Sequence, residues 1–155
     1  MRISELLADI RNQNLVLPEF QREYVWSRDQ AKQLMVSLTQ QYPVGGILLW
    51  KTQNPPELKN VDSQSDRLGT YQLILDGQQR LTTLYMLLTG EIPPYYRDED
   101  IQTDTRNLFF NLDDADFQYY QPVRMRDEPT WVSVKDCMDD VGQIAFEVAR
   151  KIYPD

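Results

Sequence analysis

The spacing of apolar and polar residues divides the first 90 residues into three helices and two strands. Near the N-terminus, apolar residues recur at helical spacing and predict a helix over residues 3–10. A second helix is predicted to begin after Ser27, because Ser27 and Gln30 match a capping box. The apolar stripe of this second helix comprises Ala31, Leu34, Met35, Leu38 and Tyr42.

Two short apolar runs, "ILLWK" at residues 47–51 and "YQLIL" at residues 71–75, predict buried strands. The polar stretch between them contains two prolines and is interpreted as a loop. A third helix is predicted from Gln78 to Leu88, with Gly90 at its C-terminal end. Ahead of the second helix, Pro18 predicts an extended edge segment or a loop.

After residue 90 the pattern predicts a hairpin and a long helix. Residues 107–112 and 117–122 are predicted to pair as strands, and Ser133 matches the N-cap of a helix whose apolar stripe runs to Ile152. The chain is therefore predicted to be a single α/β (α+β) domain over residues 1–155, with a small mixed sheet flanked by helices. The wide apolar stripe of the last helix favours packing on a further segment, so we expect the N-terminal fragment of a longer protein.

Composition removes several kinds of chemistry. Histidine is absent from the 155 residues, which excludes Ser-His-Asp and Cys-His catalysis and histidine-ligated metal sites within this chain. Any hydrolysis would have to use carboxylates, amides, Arg or Lys together with a hard cation such as Mg²⁺. The net charge of −8 disfavours general adhesion to nucleic acid, although a local basic patch could still bind phosphate.

Cellular location is predicted from the same composition. The single cysteine, Cys137, excludes an internal disulfide and fits a reducing compartment. The N-terminal residues are acidic where a signal peptide would be apolar, and no apolar stretch approaches the roughly 20 residues that cross a bilayer. These features predict a cytoplasmic protein with no membrane partner.

The stretch "DGQQR", Asp76 to Arg80, stands where the second strand ends and the third helix begins. Gly77 allows a tight bend, and the first N–H groups of a helix form a site for anions. Arg80 can add a bidentate donor for phosphate oxygens, and Asp76 can hold Mg²⁺ or orient a water molecule. Further polar groups at this junction are the amides of Gln78 and Gln79 and the hydroxyls of Thr82 and Thr83.

A purely structural interpretation of this stretch is also open. Asp76 with Gln79 matches a D-x-x-Q capping pattern, which stabilises a helix by roughly 1 kcal/mol without any ligand. Capping does not explain Arg80, because the positive end of a helix dipole disfavours a cation. An anion between Arg80 and the dipole would explain it.

A second candidate segment is "LPEFQREYVWS", residues 17–27. Gln21 and Arg22 are hypothesised to form a second anion clamp that faces Arg80. The favoured interpretation of the aromatic residues in this segment is that they pack into the core. Those residues are Phe20, Tyr24 and Trp26. Similarly, Gly45 and Gly46 are interpreted as a turn rather than as a close approach to a ligand.

The segment "LPEFQREYVWSRDQAKQLMVSLTQQYPVGGILLW", followed by "LILDGQQRLTTLYML", resembles the N-terminal domain of the GmrSD-type restriction endonuclease family. The resemblance covers about residues 1–90, the motif-bearing core, with the two motifs in the same order and at the usual spacing. It continues more weakly through "NLFFNLDD" and "WVSVKD" in residues 91–155. The combination of Phe-Gln-Arg with Asp-Gly-Gln-Gln-Arg is specific, whereas neither motif alone would be.

The resemblance implies a ParB/sulfiredoxin-like fold and a nucleotide site in a defence protein that acts on modified foreign DNA. In the family the DGQQR motif, here Asp76 to Arg80, is taken as the nucleotide site, and the Gln-Arg pair, here Gln21 and Arg22, shares its pocket. A histidine-metal nuclease usually lies in a C-terminal domain. Because this chain has no histidine, the implied partners are a C-terminal nuclease-type domain or subunit, and DNA through the full-length protein.

The leading hypothesis is an NTP-binding and NTP-hydrolysing domain that uses Mg²⁺. Asp76 with Mg²⁺ would position water, Gln79 would orient it, and Arg80 would hold phosphates. The nucleotide-binding residues under this hypothesis are Gln21, Arg22, Gly77, Gln78, Thr82 and Thr83. One alternative is a nucleotide-independent DNA-binding module that recognises modified DNA, and another is a catalytically idle scaffold for a partner domain.

Overall fold

Two three-stranded sheets lie around a central helix. The computed structural model describes residues 2–61, 69–139 and 151. Within these residues the strands are β1 (Leu15–Val16), β2 (Leu48–Thr52), β3 (Tyr71–Asp76), β4 (Leu108–Asn111), β5 (Phe117–Tyr119) and β6 (Trp131–Ser133). The helices are α1 (Ile3–Arg11), α2 (Arg28–Thr39), α3 (Gln78–Thr89), α4 (Pro122–Met125) and α5 (Val134–Asp139), with a 3-10 turn at Asp98–Asp100. The α+β class is confirmed.

The first sheet has the order β1-β3-β2 and is mixed, as predicted. β1 runs parallel to β3, and β2 runs antiparallel to it with a bulge between Leu48 and Leu49. β3 is the central strand, and its residues Leu73 and Ile74 are fully buried. The prediction that residues 47–51 form a buried strand is wrong in part. β2 is a strand, but it lies at the sheet edge, and Leu48 and Trp50 remain 57% and 43% exposed.

The second sheet, of order β5-β4-β6, is antiparallel. The predicted hairpin is confirmed, because β4 pairs with β5 across the turn that follows Asn111. β6 was not predicted, since three residues that end at the presumed N-cap Ser133 give too short a pattern to identify a strand. The described residues therefore form two sheets, whereas the sequence predicted a single sheet. The predicted long helix begins at Val134, and its course beyond residue 139 lies outside the described residues.

The predicted helix boundaries hold in most places. At the start of α2, Ser27 Oγ accepts from the Gln30 N–H at 3.2 Å and Gln30 Oε1 accepts from the Ser27 N–H at 2.9 Å, so the capping box is confirmed. α2 ends at Thr39, and Tyr42 is exposed rather than part of the apolar stripe.

α3 is the centre of the core. It was predicted to be amphipathic, yet its residues from Gln78 to Leu88 are buried with the exception of Arg80. One hydrophobic cluster surrounds α3, and its buried side chains come from positions along the chain between Leu7 and Val134. Both sheets therefore share a single core, and Arg80 is the residue of α3 whose position most needs an explanation.

Candidate functional site

A cavity of about 450 Å³ opens where β3 passes into α3. One wall comes from the loop that precedes α2, and the other comes from the strand-to-helix junction. The lining residues are Phe20, Gln21, Arg22, Trp26, Leu75, Asp76, Gly77, Gln78, Gln79 and Arg80. The fold thus brings the two sequence motifs, which lie more than fifty residues apart, to the same cavity.

The junction itself is built around Gly77. Gly77 is the N-cap of α3 and has φ of 89°, in the left-handed region that favours glycine. The capping pattern predicted for Asp76 and Gln79 is not formed, because the cap position falls on a residue without a side chain. The first backbone N–H groups of α3, which have no partner within a helix, therefore donate no hydrogen bond to an N-cap side chain.

Arg80 occupies the third position of α3, and its side chain turns back toward the cavity. Its Nη2 donates to the Gly46 carbonyl at 2.5 Å and lies 3.7 Å from Asp76 Oδ2. Its Nε is buried and has no hydrogen-bond partner among the described residues. The side chain is 25% exposed. The guanidinium is thus anchored at one corner and still has unused donor capacity.

Gly45 explains how the loop can approach this guanidinium. Its φ is +87°, and a Cβ placed on it would lie 2.9 Å from Arg80 Nη1. Gly77 stands on another side, where an added Cβ would lie 3.2 Å from Arg80 Nη2. The turn interpretation of Gly45 is compatible with its positive φ, and the same residue also makes room for Arg80.

The glutamines of the motif hold the opposite wall in place. Gln79 Oε1 accepts from the Val25 N–H at 3.0 Å, and its Nε2 donates to the Glu23 carbonyl at 2.9 Å. Its amide therefore pairs with the loop as a neighbouring strand would. Because Gln79 is only 7% exposed and both ends of its amide are engaged, the structure gives no support to the prediction that it orients water.

Two more amides complete this cross-bracing. Gln78 Nε2 donates to the Arg22 carbonyl at 3.2 Å. In the reverse direction, Gln21 Nε2 donates to the Leu75 carbonyl at 2.9 Å. Side chains of each motif thus hydrogen-bond to the backbone of the other motif. Gln21 and Gln78 thereby fix the position of the two walls of the cavity.

Tyr96 was not identified from the sequence, because it lies in a polar connection without a motif. Its hydroxyl donates to the Arg22 carbonyl at 2.6 Å. Burial raises the pKa of Tyr96, so the phenol remains a protonated donor. The Arg22 backbone is therefore fixed from two sides, by Tyr96 and by Gln78.

Thr82 and Thr83 do not reach the cavity. Both are fully buried. Thr82 Oγ1 shares a 2.9 Å hydrogen bond with the Tyr95 hydroxyl, and Thr83 Oγ1 lies 2.7 Å from the Tyr24 hydroxyl. Their hydroxyls satisfy the polar groups of core tyrosines, which removes the geometric basis for predicting them as nucleotide-binding residues.

The three aromatic residues of the loop have different environments. Tyr24 is fully buried, as favoured, and hydrogen-bonds to Thr83 and Thr105. Trp26 is half-buried against the core. Phe20 is 69% exposed at the cavity, so the interpretation of this residue as a core aromatic is wrong.

Comparison with known proteins decides the family. The model of the GmrSD restriction endonuclease N-terminal domain matches residues 3–137. The chain belongs to this family. A relative, Uncharacterized protein MJ0686 of Methanocaldococcus jannaschii, is 36% identical to it over 84 residues. The aligned part makes up 46% of this chain and 14% of that relative, so the chain corresponds to a small share of the relative's length.

The charges of this GmrSD N-terminal domain suit an anion at the cavity. Two cationic side chains, Arg22 and Arg80, and one carboxylate, Asp76, line it. The Asp76 side chain is 74% exposed. Across the described residues no group of three or more His, Cys, Asp or Glu side chains could hold a metal ion. A metal ion here would therefore depend on oxygen atoms supplied by its ligand, and Mg²⁺ often binds through one carboxylate and substrate phosphates.

None of the described helices is both long enough and apolar enough to cross a membrane.

Proposed function

We propose that the cavity binds a nucleoside triphosphate with Mg²⁺ and hydrolyses it, within a cytoplasmic restriction-like defence protein that acts on modified foreign DNA. The observation that carries the proposal is the convergence of two arginines and an uncapped helix N-terminus on one cavity. The chain as a whole has a net charge of −8, so this local excess of donors is not a general property of its surface. Family membership supports the defence role.

The phosphates are held between the two walls. The N–H groups at the start of α3 and the positive end of its dipole face an anion from one side. The terminal nitrogens of Arg80, Nη1 and Nη2, have donor capacity beyond the one bond to Gly46 and can bind phosphate oxygens in a bidentate manner. Arg22 faces the anion from the other wall, with its backbone fixed by Gln78 and Tyr96.

Asp76 is the side chain proposed to act in hydrolysis. Among the lining residues it carries the one carboxylate, and its exposure leaves oxygen atoms free to hold Mg²⁺ or to orient the attacking water. Mg²⁺, when bound, would neutralise charge on the phosphates. Water attacks the terminal phosphorus, the bond to the bridging oxygen breaks, and the nucleoside diphosphate leaves, while the proton of the water ends on the inorganic phosphate. Arg80 stabilises the charge that develops. Gln79 contributes by holding the loop rather than by contacting water.

Isothermal titration of each of the four NTPs with Mg²⁺ into the full-length protein tests binding, and release of inorganic phosphate tests hydrolysis. We expect saturable binding that weakens strongly in Arg80→Gln and in Arg22→Gln. We expect Asp76→Asn to retain nucleotide and to lose phosphate release. Absence of binding by the wild-type full-length protein would overturn the proposal, and undiminished hydrolysis in Asp76→Asn would remove the role given to that residue.

The exposed Phe20 beside Arg22 favours a second candidate function, a nucleotide-independent module that binds modified DNA. An exposed aromatic and a cation are suited to a base and its phosphate. DNA affinity that falls steeply with salt and does not respond to NTP would support this candidate over the first. In either case, a C-terminal nuclease-type domain or a partner subunit is proposed to supply DNA cleavage.

A further inference from the structure

We infer that Phe20 forms a base subsite in the cavity that Trp26 also lines, and that a planar nucleobase stacks on the exposed face of the Phe20 ring. This inference rests on the proposed nucleotide function and adds the orientation of the ligand. The phosphates lie between Arg80 at the start of α3 and Arg22 on the opposite wall, and the base lies at Phe20 on that opposite wall. The ligand class is a free nucleoside triphosphate with Mg²⁺.

Phe20 is exposed and has no packing role among the described residues. It is 69% exposed, and it is absent from the apolar side chains that pack against the core. No described ring contact involves it, whereas Phe109 and Phe110 each pack on another aromatic ring. A large aromatic surface left in water at the mouth of a polar cavity is the kind of feature that marks a binding site.

The backbone of the segment that carries Phe20 is held by hydrogen bonds. The Gln21 N–H donates to the Pro18 carbonyl at 3.0 Å, and Pro18 forms a bridge with Leu58. On the other side of Phe20, the Arg22 carbonyl accepts hydrogen bonds from Gln78 and Tyr96. The backbone is thus fixed on both sides of Phe20, so stacking on the ring would cost side-chain rotamer entropy and little backbone entropy.

The cavity has two chemically different parts. Arg80 and Asp76 at the junction with α3, together with Arg22 across from them, make up a charged part, and Phe20 and Trp26 make up an aromatic part. An inorganic phosphate would use only the charged part. A nucleotide, which joins phosphates to a planar ring, would use both, and 450 Å³ falls within the usual range for small-molecule sites.

The subsite is expected to discriminate poorly among bases. Gln21, Gln78 and Gln79 are the amides that line the cavity, and each donates to a backbone carbonyl of the opposite wall. Few polar groups are then left to read a base edge. Stacking itself tolerates any base, because every base presents a π-face.

The test compares nucleoside triphosphates with inorganic tripolyphosphate, each with Mg²⁺, by isothermal titration into the full-length protein. Phe20→Ala is expected to weaken NTP binding on the order of tenfold, as base–aromatic stacking does elsewhere, and to leave tripolyphosphate binding unchanged. Phe20→Tyr keeps the ring and is expected to keep the affinity. Tyr42→Ala, which removes a 61% exposed aromatic from outside this cavity, serves as the matched control and is expected to change the affinity for neither ligand.

The outcomes separate this inference from the function on which it rests. If the wild type binds neither ligand, the proposed nucleotide function fails. If the wild type binds NTP but Phe20→Ala leaves that affinity unchanged, or weakens tripolyphosphate equally, the base subsite is wrong. A single-stranded oligonucleotide forms the last arm. If Phe20→Ala weakens oligonucleotide binding and not NTP binding, Phe20 serves DNA and the inference is overturned.

Discussion

The two ends of α3 are built from similar residues and have opposite electrostatic character. Each end carries a glycine in the left-handed region, Gly77 with φ of 89° and Gly90 with φ of 72°. Each end also has an arginine at hand, Arg80 at the N-terminus and Arg106 at the C-terminus. Because a helix dipole is positive at its start and negative at its end, the same guanidinium group meets opposite potentials at the two places.

At the C-terminal end, all of these groups have partners within the protein. The Gly90 N–H donates to the Met86 carbonyl at 2.9 Å, and Arg106 Nη1 donates to the Gly90 carbonyl at 3.2 Å. Arg106 also forms two 2.9 Å hydrogen bonds to the Asp104 carboxylate. The hydrogen bond from Arg106 lowers the pKa of Asp104, so this pair remains charged at neutral pH. A cation at the negative end of the helix needs no ligand.

At the N-terminal end of α3, the polar groups are not all paired within the protein in this way. Its cap residue has no side chain, its arginine stands at the positive end, and the distance to the exposed Asp76 carboxylate is 3.7 Å. One guanidinium nitrogen of Arg80 is buried without a partner among the described residues. The comparison teaches that the residue type alone does not identify a site. An arginine is structural where the local field favours it and already pairs it, and it is available for a ligand where the field does not.

The largest expected effect comes from substituting the arginine at the N-terminal end. Arg80→Gln is expected to lower NTP affinity by about 10- to 100-fold, because hydrogen bonds to charged groups contribute roughly 1.5–3 kcal/mol. The free energy of unfolding is expected to fall by about 1 kcal/mol, since the largely buried side chain loses its hydrogen bond to the Gly46 carbonyl. Isothermal titration and urea unfolding measure the two quantities.

Arg106→Gln is the matched change at the other end of α3. It is expected to lower the free energy of unfolding by about 1 kcal/mol and to leave NTP affinity within about twofold, because the site is distant from the cavity. If Arg80→Gln costs more stability than Arg106→Gln while affinity is preserved, both ends are structural and the contrast between them is wrong.

A smaller effect is expected from the glycine that admits Arg80. Gly45→Ala places a Cβ 2.9 Å from Arg80 Nη1 at a φ of +87°. The left-handed conformation alone is expected to lower the free energy of unfolding by about 1–2 kcal/mol, and displacement of the guanidinium should weaken NTP binding several-fold. The same titration and unfolding measurements apply.

Gly46→Ala provides the control in the adjacent residue. An added Cβ there meets no heavy atom within 4 Å. We therefore expect the free energy of unfolding to stay within about 0.5 kcal/mol of the wild type and affinity to be unchanged. Equal effects of the two substitutions would show that the turn as a whole matters and that the space beside Arg80 does not.

The sequence predicted the position of the N-terminal end of α3 better than it predicted the roles of the amide and hydroxyl side chains near that end. An apolar run, a glycine and helical spacing are local signals, so β3 and α3 were located to within about two residues, the usual uncertainty of helix boundaries. The position of Arg80 at the start of a helix followed directly from them. The two motifs were expected to form opposite walls of one cavity. Gln21 and Arg22 do line the same cavity as Asp76 to Arg80.

The roles of the amides and hydroxyls depended on contacts that no local pattern contains. Gln79 was predicted to orient water, but its partners are backbone groups of a loop 54 and 56 residues away in the chain. Thr83 was placed in the site by its position in the sequence, and burial of Tyr24 determines its real partner. The exposure of β2 was likewise missed, because an apolar run does not tell which strand lies at a sheet edge.

The smallest expected effect concerns a residue that only the structure reveals. Tyr96→Phe removes the hydroxyl that donates to the Arg22 carbonyl, and Tyr95→Phe removes one that bonds to Thr82. Both tyrosines are buried, and each substitution is expected to lower the free energy of unfolding by about 1 kcal/mol. Only Tyr96→Phe should weaken NTP binding, by about two- to fivefold, because Arg22 then loses one of its two backbone anchors.

This pair of adjacent tyrosines sharpens the contrast between the two walls of the cavity. If the affinity loss in Tyr96→Phe also appears with tripolyphosphate, Arg22 acts on the phosphates, as proposed. If the affinity loss appears with NTP alone, the Tyr96 hydroxyl acts through Phe20 and the base, since Phe20 and Arg22 lie on the same fixed segment. Equal affinity losses in Tyr95→Phe and Tyr96→Phe would contradict any special role for the Arg22 carbonyl and would make the site sensitive to core stability alone.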